Sequence, residues 1–124
     1  MATPYLGITH IAESQNEKEV TANDAFDSLD SAINGNSAIA MTDADYTATN
    51  LILAGAVFFG VTGTLTADRN FILPTGQARL FVIENGTTGS HSLVVKTASG
   101  STAAVTNGSV KILYSDGTNV IALT

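Results

Sequence analysis

Apolar positions repeat with two different periods along the chain. Between residues 22 and 33, Ala22, Phe26, Leu29 and Ile33 step by four, three and four, which places them in one stripe on a helix. Thr21-Ala22-Asn23-Asp24 reads as the start of that helix: a capping box in which Thr21 accepts from the N–H of Asp24 and Asp24 reaches back. Val20 and Ala25 fit a hydrophobic staple, Asp24 and Asp27 lie toward the positive end of the dipole, and Asn34-Gly35-Asn36 supplies the stop. The pattern predicts about three turns of helix from Thr21, marginal in water unless its stripe is covered.

Beyond Ser37 the period shortens. Thr, Val, Ile, Leu and Phe cluster in short runs separated by Gly, Asn and Asp. The runs predict strands at Ala38–Met41, Thr47–Leu53, Val57–Thr66, Asn70–Leu73, Arg79–Glu84, Ser92–Thr97, Ala103–Thr106, Ser109–Ser115 and Val120–Leu123. Asn85-Gly86, Asn107-Gly108 and Asp116-Gly117 read as tight turns. Short strands at regular spacing imply a mainly β chain: a small antiparallel sandwich or barrel-like body over 37–124. An extended N-terminal arm and one short helix over 1–36 precede it. Leu51-Ile52-Leu53 and Val57-Phe58-Phe59 put apolar groups on both faces of their strands, so one face is expected to meet another subunit.

Composition sharpens this picture. Charged residues make up only 13% of the 124 residues while apolar ones reach 44%, so the chain has enough apolar side chains for a core and too few charges for disorder. The charges are also unevenly placed. Residues 1–45 carry eight acids and one base, Lys18, whereas 46–124 carry three acids and four bases. A net charge of −6 argues against binding a phosphate backbone. Without cysteine there is no disulfide, thiolate metal site or thiol nucleophile. The apolar run Leu51–Val61 is too short for a membrane helix, and no signal peptide stands at the N-terminus. A cytoplasmically made chain that joins a larger assembly is the expectation.

Candidate chemistry is sparse. His10 and His91 have no second ligand at a metal-binding spacing. Asp43 and Asp45 begin like a calcium loop but lack its later ligands. Asp68, Glu84 and Asp116 are the acids of the body, and turn chemistry explains Asp68 and Asp116 better than a glycosidase pair. No Gly-x-Ser-x-Gly, phosphate loop or dinucleotide fingerprint occurs. Asn85-Gly-Thr and Asn107-Gly-Ser fit turns better than glycosylation. Tyr5, Tyr46 and Tyr114 are a thin aromatic platform for a glycan, and the five phenylalanines are expected in the core or at subunit contacts. No catalytic residue, metal or cofactor is expected.

One stretch is more specific. Gln15-x-x-Lys18-Glu19-Val20-Thr21-x-Asn23-x-Ala25-x-x-x-Leu29-Asp30 resembles the N-terminal Q-x-x-K-E-V-T-x-N-x-A-x-x-x-L-D segment of phage and prophage structural proteins, where it often opens tail-fibre-like or host-interaction proteins. Glu17 stands where that family commonly has a second glutamine. The pieces Thr42–Thr47, Gly63–Arg69, Leu73-Pro74 and Tyr114–Val120 are similar to recurring pieces of phage fibre-type β domains. The resemblance implies a non-enzymatic virion protein that forms a homotrimer. It docks on the particle through Gln15, Lys18, Glu19, Val20 and Asn23 and meets its copies through Ala22, Phe26, Leu29, Ile33, Val57 and Phe59. Two roles fit: a capsid cement or decoration protein bound to the major capsid protein, favoured by a chain with no receptor-binding domain attached, and a short tail fibre or adaptor bound to a tail protein. Either places it on the virion, at the capsid surface or the tail, with no nucleic-acid or membrane partner. A glycan-binding lectin or glycan hydrolase is the competing class, and the sparse aromatics and unpaired carboxylates weigh against it.

Overall fold

A computed structural model describes residues 2–124. The chain is mainly β, with two mixed sheets and two helices. Helix α1 (Lys18–Asn34) is followed by β1 (Asn36–Ala40), β2 (Tyr46–Thr47), helix α2 (Asn50–Ala54), β3 (Phe58–Thr62), β4 (Arg69–Ile72) and β5 (Arg79–Asn85). Then come β6 (Leu93–Lys96), β7 (Ala103–Val105), β8 (Val110–Ser115) and β9 (Val120–Ala122).

The expected all-antiparallel body is not what forms. The chain alternates between a five-stranded sheet, β1-β3-β5-β8-β9, and a four-stranded sheet, β2-β4-β6-β7. β1, β3 and β5 run parallel, as do β2, β4 and β6. Three successive coils therefore stack, each giving one strand to each sheet, with a repeat of roughly 22–25 residues, within the range of coil-forming repeats. Register sets like positions on top of one another. Ser37 lies opposite Phe59, which lies opposite Ile83, and Tyr46 lies opposite Phe71, which lies opposite Val95. Strands β7, β8 and β9 then pair antiparallel and finish the two sheets.

The physical reason is in the connections. A tight turn returns a strand beside its predecessor, but Asn85-Gly86 does not make one. Asn85 ends β5 with its side chain fully buried, and the chain crosses to the other sheet. Of the three Asx-Gly pairs, Asp116-Gly117 alone closes a hairpin between sheet neighbours, β8 and β9, with Gly117 at φ 96°; the other hairpin, β6–β7, is closed by the longer loop 97–102. The inward residues of both sheets form one core that includes Phe59, Phe71, Phe81, Leu93 and Leu113. Phe59 and Phe81 meet edge to face at 5.9 Å.

Three further expectations are corrected. The helix is longer than three turns and begins at Lys18, so the Thr21 capping box does not form; Glu17 precedes it in a left-handed conformation with no side-chain cap. The arm is not extended. Ala2 and Thr9 form an antiparallel bridge, and the Thr3 N–H donates to Ile8 O at 2.9 Å. Leu51-Ile52-Leu53 is helical rather than part of a strand, because Thr49 Oγ1 caps α2 by accepting from the Ile52 N–H at 3.2 Å. A short apolar run fits a strand or a buried helical turn equally well, and the cap decides.

Arg79 joins the helices to the coil. Its Nη2 donates to Ala32 O at 2.8 Å and to Ala56 O at 2.9 Å, and its Nε reaches Leu53 O at 3.4 Å. A guanidinium is suited to this work because it offers several donors in one plane. Its charge also complements the carbonyl ends of both helices. Burial lowers its pKa from the ordinary value.

Candidate functional site

The acids read as possible chemistry serve as braces between coils. Asp43 Oδ1 accepts from the Thr66 N–H at 3.0 Å and its Oδ2 from the Thr66 hydroxyl at 2.6 Å. Arg69 adds Nε at 3.0 Å and Nη2 at 2.9 Å to the same carboxylate. Asp45 accepts from the Asn70 N–H at 2.9 Å, and Asp68 from the Ser92 N–H at 2.8 Å. Each carboxylate thus satisfies a backbone donor one coil further along. Asp116 caps the β8–β9 hairpin by accepting from the N–H groups of Thr118 and Asn119 at 2.9 and 2.7 Å. Asp68 lies 3.5 Å from His91 Nδ1. Among the described residues, no three His, Cys, Asp or Glu side chains gather as a metal would need, and no helix is long and apolar enough to cross a membrane.

The Thr66 hydroxyl and N–H, and then Arg69, hold the Asp43 carboxyl down at about 2, against an ordinary 3.8. A carboxylate depressed in the folded state stabilises the fold above its unfolded pKa, and that contribution is lost as pH falls through the folded one. Thermal melts of the wild-type chain between pH 5 and pH 2 are therefore expected to show falling stability. The Asp43→Asn variant should melt lower at pH 5 and lose less on acidification. Equal pH slopes in the two proteins would contradict this role.

The expected docking residues cluster around the start of α1. Lys18, Glu19, Val20 and Asn23 are exposed there. Gln15 is engaged within the chain: its Oε1 accepts from the Ala12 N–H at 2.7 Å, and its Nε2 donates to Thr21 Oγ1. It joins the arm to the helix.

The residues expected at subunit contacts divide into two groups. On α1, Phe26 is 66% exposed, Ile33 65% and Leu29 40%, while Ala22 is half-buried. Only Ala32 of this helix is fully buried. The stripe therefore faces away from the chain's own core. Val57 is half-buried just before β3, and Phe59 is 1% exposed inside the core. The outward residue of that run is Phe58. The expected subunit contact at Phe59 is thus one residue out of register, and in a strand one residue exchanges the two faces.

The outer face of the five-stranded sheet was not singled out by sequence reasoning as one surface. Two of its cross-strand rows are largely apolar: Leu80, Tyr114 and Ile121 in one, Phe58, Val82 and Ile112 in the next, with Asn36 of β1 at that row's edge. A third row places Gly60 beside Glu84 and Val110. Leu80, Val110, Ile112 and Ile121 are exposed. The alternating burial of β5 carries the signal, since Phe81, Ile83 and Asn85 turn inward and leave Leu80 and Val82 outside. A cleft of about 350 Å³, lined by Tyr5, Leu6, Ile33, Leu80 and Tyr114 among others, joins this face to the C-terminal end of the helix stripe.

Searches against protein-family models, curated proteins and solved structures find no match.

Proposed function

We propose that this chain is a non-enzymatic structural protein of a bacteriophage particle, working as a homotrimer that decorates and stabilises the assembled head. The observation that carries the reading is the uncovered stripe Phe26-Leu29-Ile33 on α1. Its steps of three and four are those of a coiled-coil seam, in which identical helices bury one another's apolar positions. The exposed residues Lys18, Glu19, Val20 and Asn23 lie at the start of the same helix and form the docking patch for the major capsid protein. A trimer presents that patch three times, and linked sites bind with an effective concentration that a single copy lacks. A protein that binds the assembled shell and not its free subunits stabilises the shell by mass action.

A second reading, a short tail fibre or tail adaptor, is favoured by one specific observation: the resemblance of the Gln15–Asp30 segment to proteins that open this way. In that role the same helix start docks on a tail protein.

Light scattering on the purified chain is expected to give three copies per particle. Phe26→Asp or Leu29→Asp should give single copies, because the seam would bury a charge with no partner. A single wild-type copy at micromolar concentration would overturn the trimer, and unchanged assembly of both variants would overturn the helix stripe as its seam. Gold-labelled protein added to virions and viewed by electron microscopy separates the two roles, since label on heads supports decoration and label on tails supports the fibre.

A further inference from the structure

We infer that the outer face of the five-stranded sheet is part of the surface through which copies of this chain pack on one another. This inference rests on the self-association reading above and extends it from the helix to the sheet.

Three observations lead to a second copy as the occupant. The first is continuity. Ile33 at the end of the helix stripe shares a cleft with Leu80 of β5 and Tyr114 of β8, so a neighbour seated along the stripe is carried onto the sheet face. The second is area. The stripe alone is three side chains. With the exposed fractions of Leu80, Val110, Ile112 and Ile121, it leaves on the order of 600 Å² of apolar surface in water. That value takes roughly 150–200 Å² for each fully exposed side chain, and a stable interface buries about 800 Å² per partner. The helix by itself falls well short of that figure, while helix and sheet together approach it.

The third observation is charge. Glu84 is the one ionised side chain among the paired rows of the sheet face. Helix α1, which meets this face at the cleft of Ile33, Leu80 and Tyr114, carries Asp24, Asp27 and Asp30 off the stripe. An anionic membrane or nucleic acid would meet repulsion there, and a strongly cationic partner would find a single acid, Glu84, to pair with across the rows of the sheet face. An equally apolar protein surface fits, and each copy of this chain carries one. Closed rotational symmetry covers that surface on all copies at once.

The chain has no cysteine, which permits a direct test by thiol labelling. Ile112→Cys places a single thiol on the sheet face, and Thr47→Cys places one on β2 of the other sheet, where residue 47 is exposed. Each is made in the otherwise wild-type chain and in the Phe26→Asp chain, and folding is checked by circular dichroism. In the wild-type background, a maleimide is expected to react at position 112 about tenfold more slowly, or slower still, than in the single-copy background. At position 47 the two backgrounds should agree within about twofold. Wild-type particles of several copies with position 112 reacting as fast as in single copies would overturn the sheet-face inference and leave helix-mediated association standing. A single-copy wild-type chain would overturn both.

Discussion

Replacing Asn85 with alanine is expected to cost about 3–5 kcal/mol of folding stability, because it strips partners from several buried polar groups at once. The Asn85 side chain is fully buried at the end of β5. Its Nδ2 donates to His91 O at 3.0 Å and to Val105 O at 2.9 Å. Its Oδ1 accepts from the Thr87 N–H at 3.2 Å and from the Thr87 hydroxyl at 2.5 Å. One amide therefore satisfies the chain where it leaves one sheet for the other, and it ties that crossing to β7. Leucine fills a similar volume but offers neither donor nor acceptor, so Asn85→Leu should be as damaging as alanine. Aspartate keeps the acceptors and loses the donor while adding a buried charge, and it is expected to be worse than either. Urea unfolding followed by circular dichroism measures this directly. The midpoint should fall in all three variants with an unchanged slope. A midpoint shift corresponding to less than about 1 kcal/mol for alanine would mean that the amide network contributes little.

Gly89→Ala is expected to be nearly as costly, for a steric reason. Gly89 sits at φ 110°, and a Cβ built there lies 2.1 Å from the carbonyl oxygen of Leu65 in the coil before it. Gly63 repeats the arrangement one coil earlier, at φ 131° and 2.3 Å from Met41 O. Both contacts are with residues whose backbone is itself bonded between coils: the Leu65 N–H donates to Thr88 O at 2.9 Å, and the Met41 N–H to Thr62 O at 2.9 Å. The carbonyl cannot move aside without breaking that ladder. We expect Gly89→Ala to lose about 3 kcal/mol or more. That loss should appear as a fall of about 10 °C in melting temperature for a domain of this size. Gly76 provides the comparison. It also has a positive φ, 79°, but a Cβ there meets open space, so Gly76→Ala carries only the conformational penalty of about 1–2 kcal/mol. Equal melting temperatures for the two variants would remove the steric argument.

These two positions also mark the limit of what the sequence made legible. Strand positions were readable because β-branched and aromatic runs separated by Gly, Asn and Asp behave alike in any sheet. The predicted run Asn70–Leu73 and the observed Arg69–Ile72 differ by one residue at each end, as do Ser92–Thr97 and Leu93–Lys96, while Val57–Thr66 overruns β3, which ends at Thr62. Strand direction was not readable in the same way. Asn85-Gly86 carries the signature of a hairpin, yet the asparagine is an internal brace and the glycine lies close under Val61 O. The information that decides between the two is the repeat itself. Tyr46, Phe71 and Val95 recur one coil apart, but their side chains differ so much that the spacing is their only common element, and the matched pair Asp43 and Asp68 occurs just once. The helix stripe was legible because its period is local. Its N-terminus was not: the Thr21 hydroxyl accepts from Gln15 instead of capping, and three residues before it also coil. The sheet face was half-legible, for apolar groups on both sides of Val57-Phe58-Phe59 were evident while their parity depended on where β3 begins.

The coiled part of the chain has an order of assembly built into it. Among its strands, sequence-local pairing is confined to the later ones, where β7 returns onto β6 and Asp116-Gly117 returns β9 onto β8. Every parallel pair upstream joins residues a full coil apart, and such closures are slow because their entropy is lost before contact repays it. The β6–β7 and β8–β9 hairpins therefore form early, and the parallel strands before them align later, β4 against β6 and β5 against β8. Refolding is expected to run backwards along the sequence, from late strands to early ones.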